Sequence, residues 1–497
     1  MNRRITILAI VILLALLTAP TWFYDYFPRV DSGAYVMGAA SLADGHAPRV
    51  LSHPMQPPAT YPPVTMLLLT PAYLLTDGSD VAMRLTMALC WLAAMLLLAW
   101  HWQRDWRGSR LPGVLLLAGF SSIWLYVGRI QSEVPYLLVT VAALYAVERL
   151  KRDDRPFGGR WGPLALTLVI LAGLTRQIGL MLALGAAAYL VWDRARLRRG
   201  AVLAVLFAVV GALPSVVLYA VTQPGQFSPE KSSVLRRNGW DPGQGQMSML
   251  SREFAGRVKS NIQVSTQLAS GAFFAMDFPP QRTAARAALV ILTLLLIIGY
   301  VRQWIRGPTA AEFYVLFYTA LLLVTPWLVE TRFYTVLMPW LALYLILAVE
   351  WIAGGLLRDK RRAWIAGCAA AVVIAAAAMA TALTYDFVDR WSQKENPEAA
   401  AYQWAKSLTT AEDVVLTRDP FALYVVTGRR AMSYTAGEQK YQPLYRLPGY
   451  LAAGGRLDAV LYPVVEREEV ERRLTDAGLR MGDLQRHGRW AFGRLQQ

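Results

Sequence analysis

Long apolar runs alternate with short polar loops over most of this chain. The runs fall at 5–24, 82–102, 111–128, 134–150, 161–174, 178–192, 201–221, 285–304, 311–329, 333–352 and 363–385. Most are close to the length of about 20 residues that a helix needs to cross a hydrocarbon core. One further run, TYPPVTMLLLTPAYLL at 60–75, is short and is interrupted by Pro62, Pro63 and Pro71. If it spanned, QRDWRGSR (103–110), KRDDRPFGGR (151–160), DRARLRRG (193–200) and RDKRR (358–362) would all face outward. That would break the positive-inside rule four times. Read as an interfacial or re-entrant helix, it leaves all four basic loops inside. The pattern therefore predicts a mainly α, polytopic transmembrane bundle of about eleven spans, with the N-terminus inside and the C-terminus outside.

The outer face then holds residues 25–81, short turns at 129–133, 175–177 and 330–332, the long loop 222–284, and a tail from 386. In the long loop, Met247, Leu250, Phe254, Val258 and Ile262 recur at spacings of three and four, which predicts one apolar face of a surface-lying helix. The tail changes character. Short strand-like runs (DVVLT at 413–417, AVLYP at 459–463, RWAFGRL at 489–495) alternate with helix-like stretches (PEAAAYQWAKSL, VEREEVERRL). Residues 386–497 thus read as a small soluble α/β domain after a transmembrane domain at 1–385.

Composition agrees with the pattern. The 497 residues are 55% hydrophobic and only 17% charged, against about 25% charged for a soluble chain. The net charge of +16 invites a nucleic-acid reading. Much of the excess, however, lies in the short inner loops, where it sets orientation, so no nucleic-acid partner is expected. Cys90 and Cys368 both lie inside apolar runs and support neither a disulfide framework nor a metal knuckle. The N-terminal MNRR-ITILAIVILLALL could be a signal peptide. It is followed by Pro20 and a Trp-Phe-Tyr cluster, an interface belt rather than a cleavage site, and is read as an uncleaved first span.

Candidate chemistry collects on the outer face: Arg29, Asp31, Arg49, His53, Arg84, Arg129, Glu133, Arg176, Glu330 and Arg332. Ionisable groups at this depth are candidates for function, and the positive-inside rule does not explain arginines in several outer turns. A guanidinium fork suits phosphate, and a lipid-linked phosphate sits at this level. Structural roles are open to the same residues. Asp31 can cap the helix SGAYVMGAASLADG, Glu133 stands just before Pro135 at a helix start, and the arginines can anchor spans by snorkelling. His46 and His53 lack a recognised metal spacing.

VDSGAYVMGAASLADG, ATYPPVTMLLLTPAYLL with MRLTMAL, GRIQSEVPYLL, AGLTRQIGLML and ETRFYTVLMPWLAL occur in this order over residues 1–385. Together they resemble the motifs of the GT-C glycosyltransferases, in particular the bacterial branch related to protein O-mannosyltransferases and the lipid A aminoarabinose transferase. The resemblance implies an enzyme of the bacterial cytoplasmic membrane with its C-terminal domain outside. It would move a sugar from a polyprenyl-phosphate donor to a glycan, lipid or protein acceptor. It implies Asp31 and Glu133 as catalytic residues, and Tyr35, Arg49, Tyr61, Arg84, Arg129, Arg176 and Arg332 as substrate contacts. A divalent cation (Mg or Mn), if the reaction uses one, would lie between Asp31 and Glu133. Where some relatives carry Asp-Glu and Lys-Pro-Pro, this chain has Asp31-Ser32 and Tyr61-Pro62-Pro63, so a phosphate contact of that lysine would pass to Arg49 or Arg84. Other readings are a lipid-linked saccharide polymerase or ligase, a transporter or flippase, and a scaffold presenting its outer domain. The scarcity of mid-span charges and of internal repeats speaks against a transporter.

Overall fold

The computed structural model describes residues 30–54, 56, 59, 61–103, 106–122, 129–153, 159–192, 197–214, 216–217, 252–274, 283–324, 331–382, 397–433, 451 and 455–496. The expected first span, Arg29 and Glu330 lie outside them. In chain order the described elements are α1 (Val30–Ala43), α2 (Pro63–Thr76), α3 (Asp80–Trp102), α4 (Leu111–Ser122), α5 (Glu133–Arg152), α6 (Trp161–Thr175), α7 (Leu180–Val191), α8 (Leu197–Val210) and α9 (Arg252–Gly271). These are followed by α10 (Thr283–Arg306), α11 (Ala310–Val324), α12 (Arg332–Thr335), α13 (Met338–Leu357), α14 (Lys360–Ala382) and α15 (Pro397–Leu408). The chain ends with β1 (Val414–Thr417), α16 (Pro420–Thr427), β2 (Arg430–Ser433), β3 (Ala459–Pro463), α17 (Arg467–Asp476), β4 (Arg480–His487) and β5 (Trp490–Gln496).

The chain divides into two units. One comprises residues 1–23, 84–128 and 132–389, and the other residues 24–83, 129–131 and 390–497. The first is helical. α13 is its centre: every residue from Met338 to Ala348 is buried, and the helix packs on α4, α10 and α14. α10 and α8 instead turn Ile291, Leu294, Ile297, Val202 and Val205 outward. An apolar side chain gains nothing from water, so such outward faces suit a lipid surround. Among the described residues, Asp80–Trp102, Ala285–Arg306 and Met338–Leu357 are long and apolar enough to cross a membrane. α10 and α13 meet closely at Gly299, where an added Cβ would run into the Tyr344 carbonyl. Small residues allow helices in lipid this kind of approach.

Several buried ionisable groups described in this unit are hydrogen-bonded or ion-paired. Thr309 donates from both its N–H and its hydroxyl to Glu312 Oε2, at 2.7 Å each, and Tyr344 donates to Oε1 at 3.0 Å. Arg110 grips Glu350 at 2.6 Å, and Glu148 lies 3.3 Å from His101 and 3.5 Å from Arg107.

α9 turns Asn261, Ser265 and Leu268 inward, while Ile262 of the expected apolar face is exposed. The Asn261 amide donates to the Leu322 and Leu323 carbonyls at 3.3 and 3.0 Å, satisfying acceptors that the end of α11 leaves open. Met247 and Leu250 lie outside the described residues.

The second unit joins the first loop to the end of the chain. Its sheet has the order β2-β1-β3-β5-β4. β2, β1 and β3 are parallel, and β5 and β4 run antiparallel beside them. Strand alternation splits the core into two layers. Val414, Leu416, Met432, Val460 and Tyr462 pack with Val470 and Leu474 of α17. Val415, Ala431, Leu461 and Phe492 pack with Ala401, Tyr402 and Ala405 of α15 and with Ala422 and Leu423 of α16. α1 lies against both α2 and α16. The Ala431 amide of β2 donates to the Ser52 carbonyl at 2.7 Å, so the first loop covers that edge of the sheet.

Candidate functional site

In the unit that carries the first loop, Asp31 sits in the first turn of α1, where the helix N-terminus favours an acidic group. Tyr61 precedes two prolines. A residue before proline is held extended, and Pro63 opens α2 at a position where proline fits the helix. This geometry returns the Tyr61 ring to α1: its hydroxyl donates to Asp31 Oδ1 at 2.9 Å. The buried Tyr35, one turn along α1, meets the Tyr61 ring edge-on at 5.5 Å. Asp31, Tyr35 and Tyr61 are thus brought together, with Tyr61 on the carboxylate itself.

The remaining first-loop residues are placed differently. Arg49 is exposed, and Arg129 lies half-buried in the 129–131 turn. His53 is buried, and burial pulls its imidazole down to about 4, so it stays neutral at physiological pH.

In the helical unit, Glu133 occupies the first turn of α5 and is 3% exposed. Arg176 stands on extended backbone after α6, before the short turn that leads into α7. Its guanidinium Nη1 lies 2.5 Å from Glu133 Oε1. The guanidiniums of Arg176 and Arg332 both stand over the Phe333 ring, at 5.9 and 5.4 Å from its centroid. Phe333 is held in turn by Tyr318, whose hydroxyl donates to its carbonyl at 2.7 Å. A second pair, Tyr314 to Tyr136 at 3.2 Å, lies in the adjoining helices α11 and α5. Arg84, 2% exposed, lies in α3 of the same unit. Arg176 and Arg332 therefore meet over Phe333, a residue that the sequence did not single out, and Glu133 joins them through Arg176.

A divalent cation fits this arrangement poorly. Such a cation takes several oxygen ligands, whereas the Glu133 carboxylate is drawn onto a guanidinium. Among the described residues no group of three His, Cys, Asp or Glu side chains converges.

Residues 60–219 match the family described as dolichyl-phosphate-mannose-protein mannosyltransferase. No curated protein matches the chain in sequence. By fold the chain is similar to ArnT from Cupriavidus metallidurans bound to undecaprenyl phosphate, with a TM-score of 0.57 and 14% identity, covering 97% of each chain. The apo state of ArnT gives 0.59 at the same identity and coverage. The archaeal oligosaccharyltransferase AglB from Archaeoglobus fulgidus, in complex with an inhibitory peptide and a dolichol-phosphate, gives 0.57 at 14% identity, covering 94% of this chain and 70% of that one. The family match is thus confined to residues 60–219, and at 14% identity the likeness to ArnT and AglB is one of fold.

Proposed function

We propose that the chain moves a sugar from a polyprenyl-phosphate donor to an acceptor hydroxyl at the outer face of a bacterial cytoplasmic membrane, with inversion at the anomeric carbon. The observation that carries the reading is the pair of guanidiniums gathered on Phe333. A guanidinium fork suits phosphate oxygens, and a lipid phosphate lies at that depth. The family match and the lipid-phosphate complexes of ArnT and AglB support the same donor class.

In this reading Arg176 and Arg332 hold the donor phosphate and stabilise it as the glycosidic C–O bond breaks and negative charge develops on the leaving group. Glu133 fixes the Arg176 fork. Asp31 accepts the proton of the acceptor hydroxyl as its oxygen bonds to the anomeric carbon. Tyr61, donating to Oδ1, sets the angle of that carboxylate. The buried Arg84 adds positive charge in the same unit as Arg176 and Arg332, and Arg49 and Arg129 are further substrate contacts. About eleven spans, an inner N-terminus and an outer C-terminal domain complete the arrangement. The acceptor is a glycan, lipid or protein hydroxyl.

The test is transfer from a polyprenyl-phosphate sugar by the purified chain in lipid nanodiscs, with product read by mass spectrometry. Asp31→Asn is expected to abolish transfer while leaving donor binding intact. An Asp31→Asn variant with full activity overturns the base assignment, and a wild-type chain that binds no polyprenyl-phosphate sugar overturns the donor class.

A further inference from the structure

The end of the chain reaches the helix that bears Asp31, and it does so at a glycine. An added Cβ at Gly33 would lie 2.7 Å from Cβ of Phe421 and 3.2 and 3.3 Å from its backbone carbon and oxygen. Any side chain there would push the first turn of α16 away from α1. Phe421 is 3% exposed. It packs in one cluster with Ala34, Met37 and Val50, with Leu51, Tyr61 and Tyr424 around them. Tyr61 is the residue whose hydroxyl holds Asp31. Three further contacts fix the same surface. Ala431 of β2 donates to the Ser52 carbonyl at 2.7 Å, the Ser52 amide points at the Met37 sulfur at 3.2 Å, and Asp419 caps α16 by accepting from the Ala422 amide at 3.0 Å.

A freely hanging domain would not need a notch at Gly33, nor would it share a core cluster with the tyrosine on the candidate base. We propose that the C-terminal domain is a working part of the transfer site, with Phe421 as a positioning residue: seated in the Gly33 notch and in the cluster that Tyr61 packs against, it holds the first turn of α1 and so sets where the Asp31 carboxylate points. This rests on the reading of Asp31 as the group that takes the acceptor proton. Phe421 itself touches no substrate. It acts through Tyr61 and α1, and the domain thereby becomes a requirement for the chemical step rather than for donor capture, since Arg176 and Arg332 belong to the other unit.

The experiment uses the full chain in nanodiscs with a polyprenyl-phosphate sugar, comparing wild type, Phe421→Ala, Phe421→Leu, Gly33→Ala and, as a control on the exposed side of the domain, Arg467→Ala. A displacement of about 1 Å in a reacting group lowers the rate by up to about 100-fold. Phe421→Ala and Gly33→Ala, which disturb one contact from its two sides, are therefore each expected to lower kcat by ~10–100-fold with donor KM unchanged. Phe421→Leu should recover to within a few-fold, and Arg467→Ala should match wild type. Hydrogen exchange along residues 31–43 should accelerate in Phe421→Ala and Gly33→Ala alone. Wild-type kcat in both variants overturns the proposal, whether or not exchange changes, and so does a rise in donor KM that accounts for the whole loss. If the wild-type chain transfers no sugar, the functional reading has failed, and the exchange data still decide on their own whether α16 holds α1.

Discussion

The Glu133–Arg176 pair offers the sharpest separation between a carboxylate that meets substrate and one that holds an arginine. Glu133 is 3% exposed and lies 2.5 Å from a guanidinium that is itself 13% exposed. Arg176→Ala strands a buried carboxylate, a change of the kind that destabilises by about 3–5 kcal/mol. Glu133→Gln leaves a guanidinium that still reaches some solvent, so the loss should be smaller, about 1–3 kcal/mol. The double variant Glu133→Gln/Arg176→Ala removes both charges and should recover part of the loss, because a neutral buried pair carries no desolvation penalty. The expected coupling is then about 1–3 kcal/mol, measured by unfolding of the full chain in a denaturing-detergent titration. Transfer kinetics should show the same pattern. If Glu133 acts only by holding the arginine, the double variant loses no more kcat/KM than Arg176→Ala alone. Single losses that simply add, within about 0.5 kcal/mol, would refute this and return Glu133 to an independent role at the substrate.

Tyr61→Phe deletes one hydrogen bond to a carboxylate, worth about 1.5–3 kcal/mol when charged. Steady-state transfer should fall ~10–100-fold, and an unchanged kcat would remove Tyr61 from the positioning of Asp31. Transfer should proceed at the same rate in excess EDTA, since Glu133 is committed to Arg176; loss of activity restored by Mg²⁺ would overturn that. Asp419 is pushed up to about 6, chiefly by burial. A raised carboxyl stabilises the fold while protonated, so its contribution is complete below the usual carboxylate range and lost as pH rises through about 6. Asp419→Asn keeps a capping side chain and should therefore raise unfolding stability at pH 8 by about 1–3 kcal/mol, with the difference vanishing near pH 4; equal stability at both pH values would contradict the buried, protonatable cap.

What the sequence made legible follows from how local each signal is. Spans announce themselves by the length of an apolar run, and helices stand at each expected span whose residues are described. In the C-terminal domain DVVLT, AVLYP and RWAFGRL were readable as strands, and they form the three inner strands β1, β3 and β5. The strands that passed unnoticed, RAMS and RMGDLQRH, are β2 and β4, the two edges of the same sheet. An edge strand meets solvent or a covering loop along one side and carries polar residues accordingly. Its sequence therefore lacks the apolar signature that burial imposes on the strands between. PFALYVVT gives no clear signal, since a short apolar run does not distinguish a strand from the short helix that it forms.

The candidate site shows the same division between local and distant signals. Asp31, Glu133, Arg176 and Arg332 stood out because ionisable groups are rare at that depth, a property each residue carries alone. What each of them touches is decided elsewhere in the chain. Tyr61 reaches Asp31 only because two prolines turn the chain back onto α1, and Phe333 is one aromatic ring among many until two guanidiniums are seen above it. Gly33 is the extreme case: a glycine near the start of a helix looks like a weakness by propensity, yet its bare backbone lets Phe421, from the far end of the chain, come against α1. The acid could be read from one end of the sequence, but the surface that holds it is made from both ends. A catalytic reading of Asp31 that stops at the first loop therefore leaves out the contacts that fix its position.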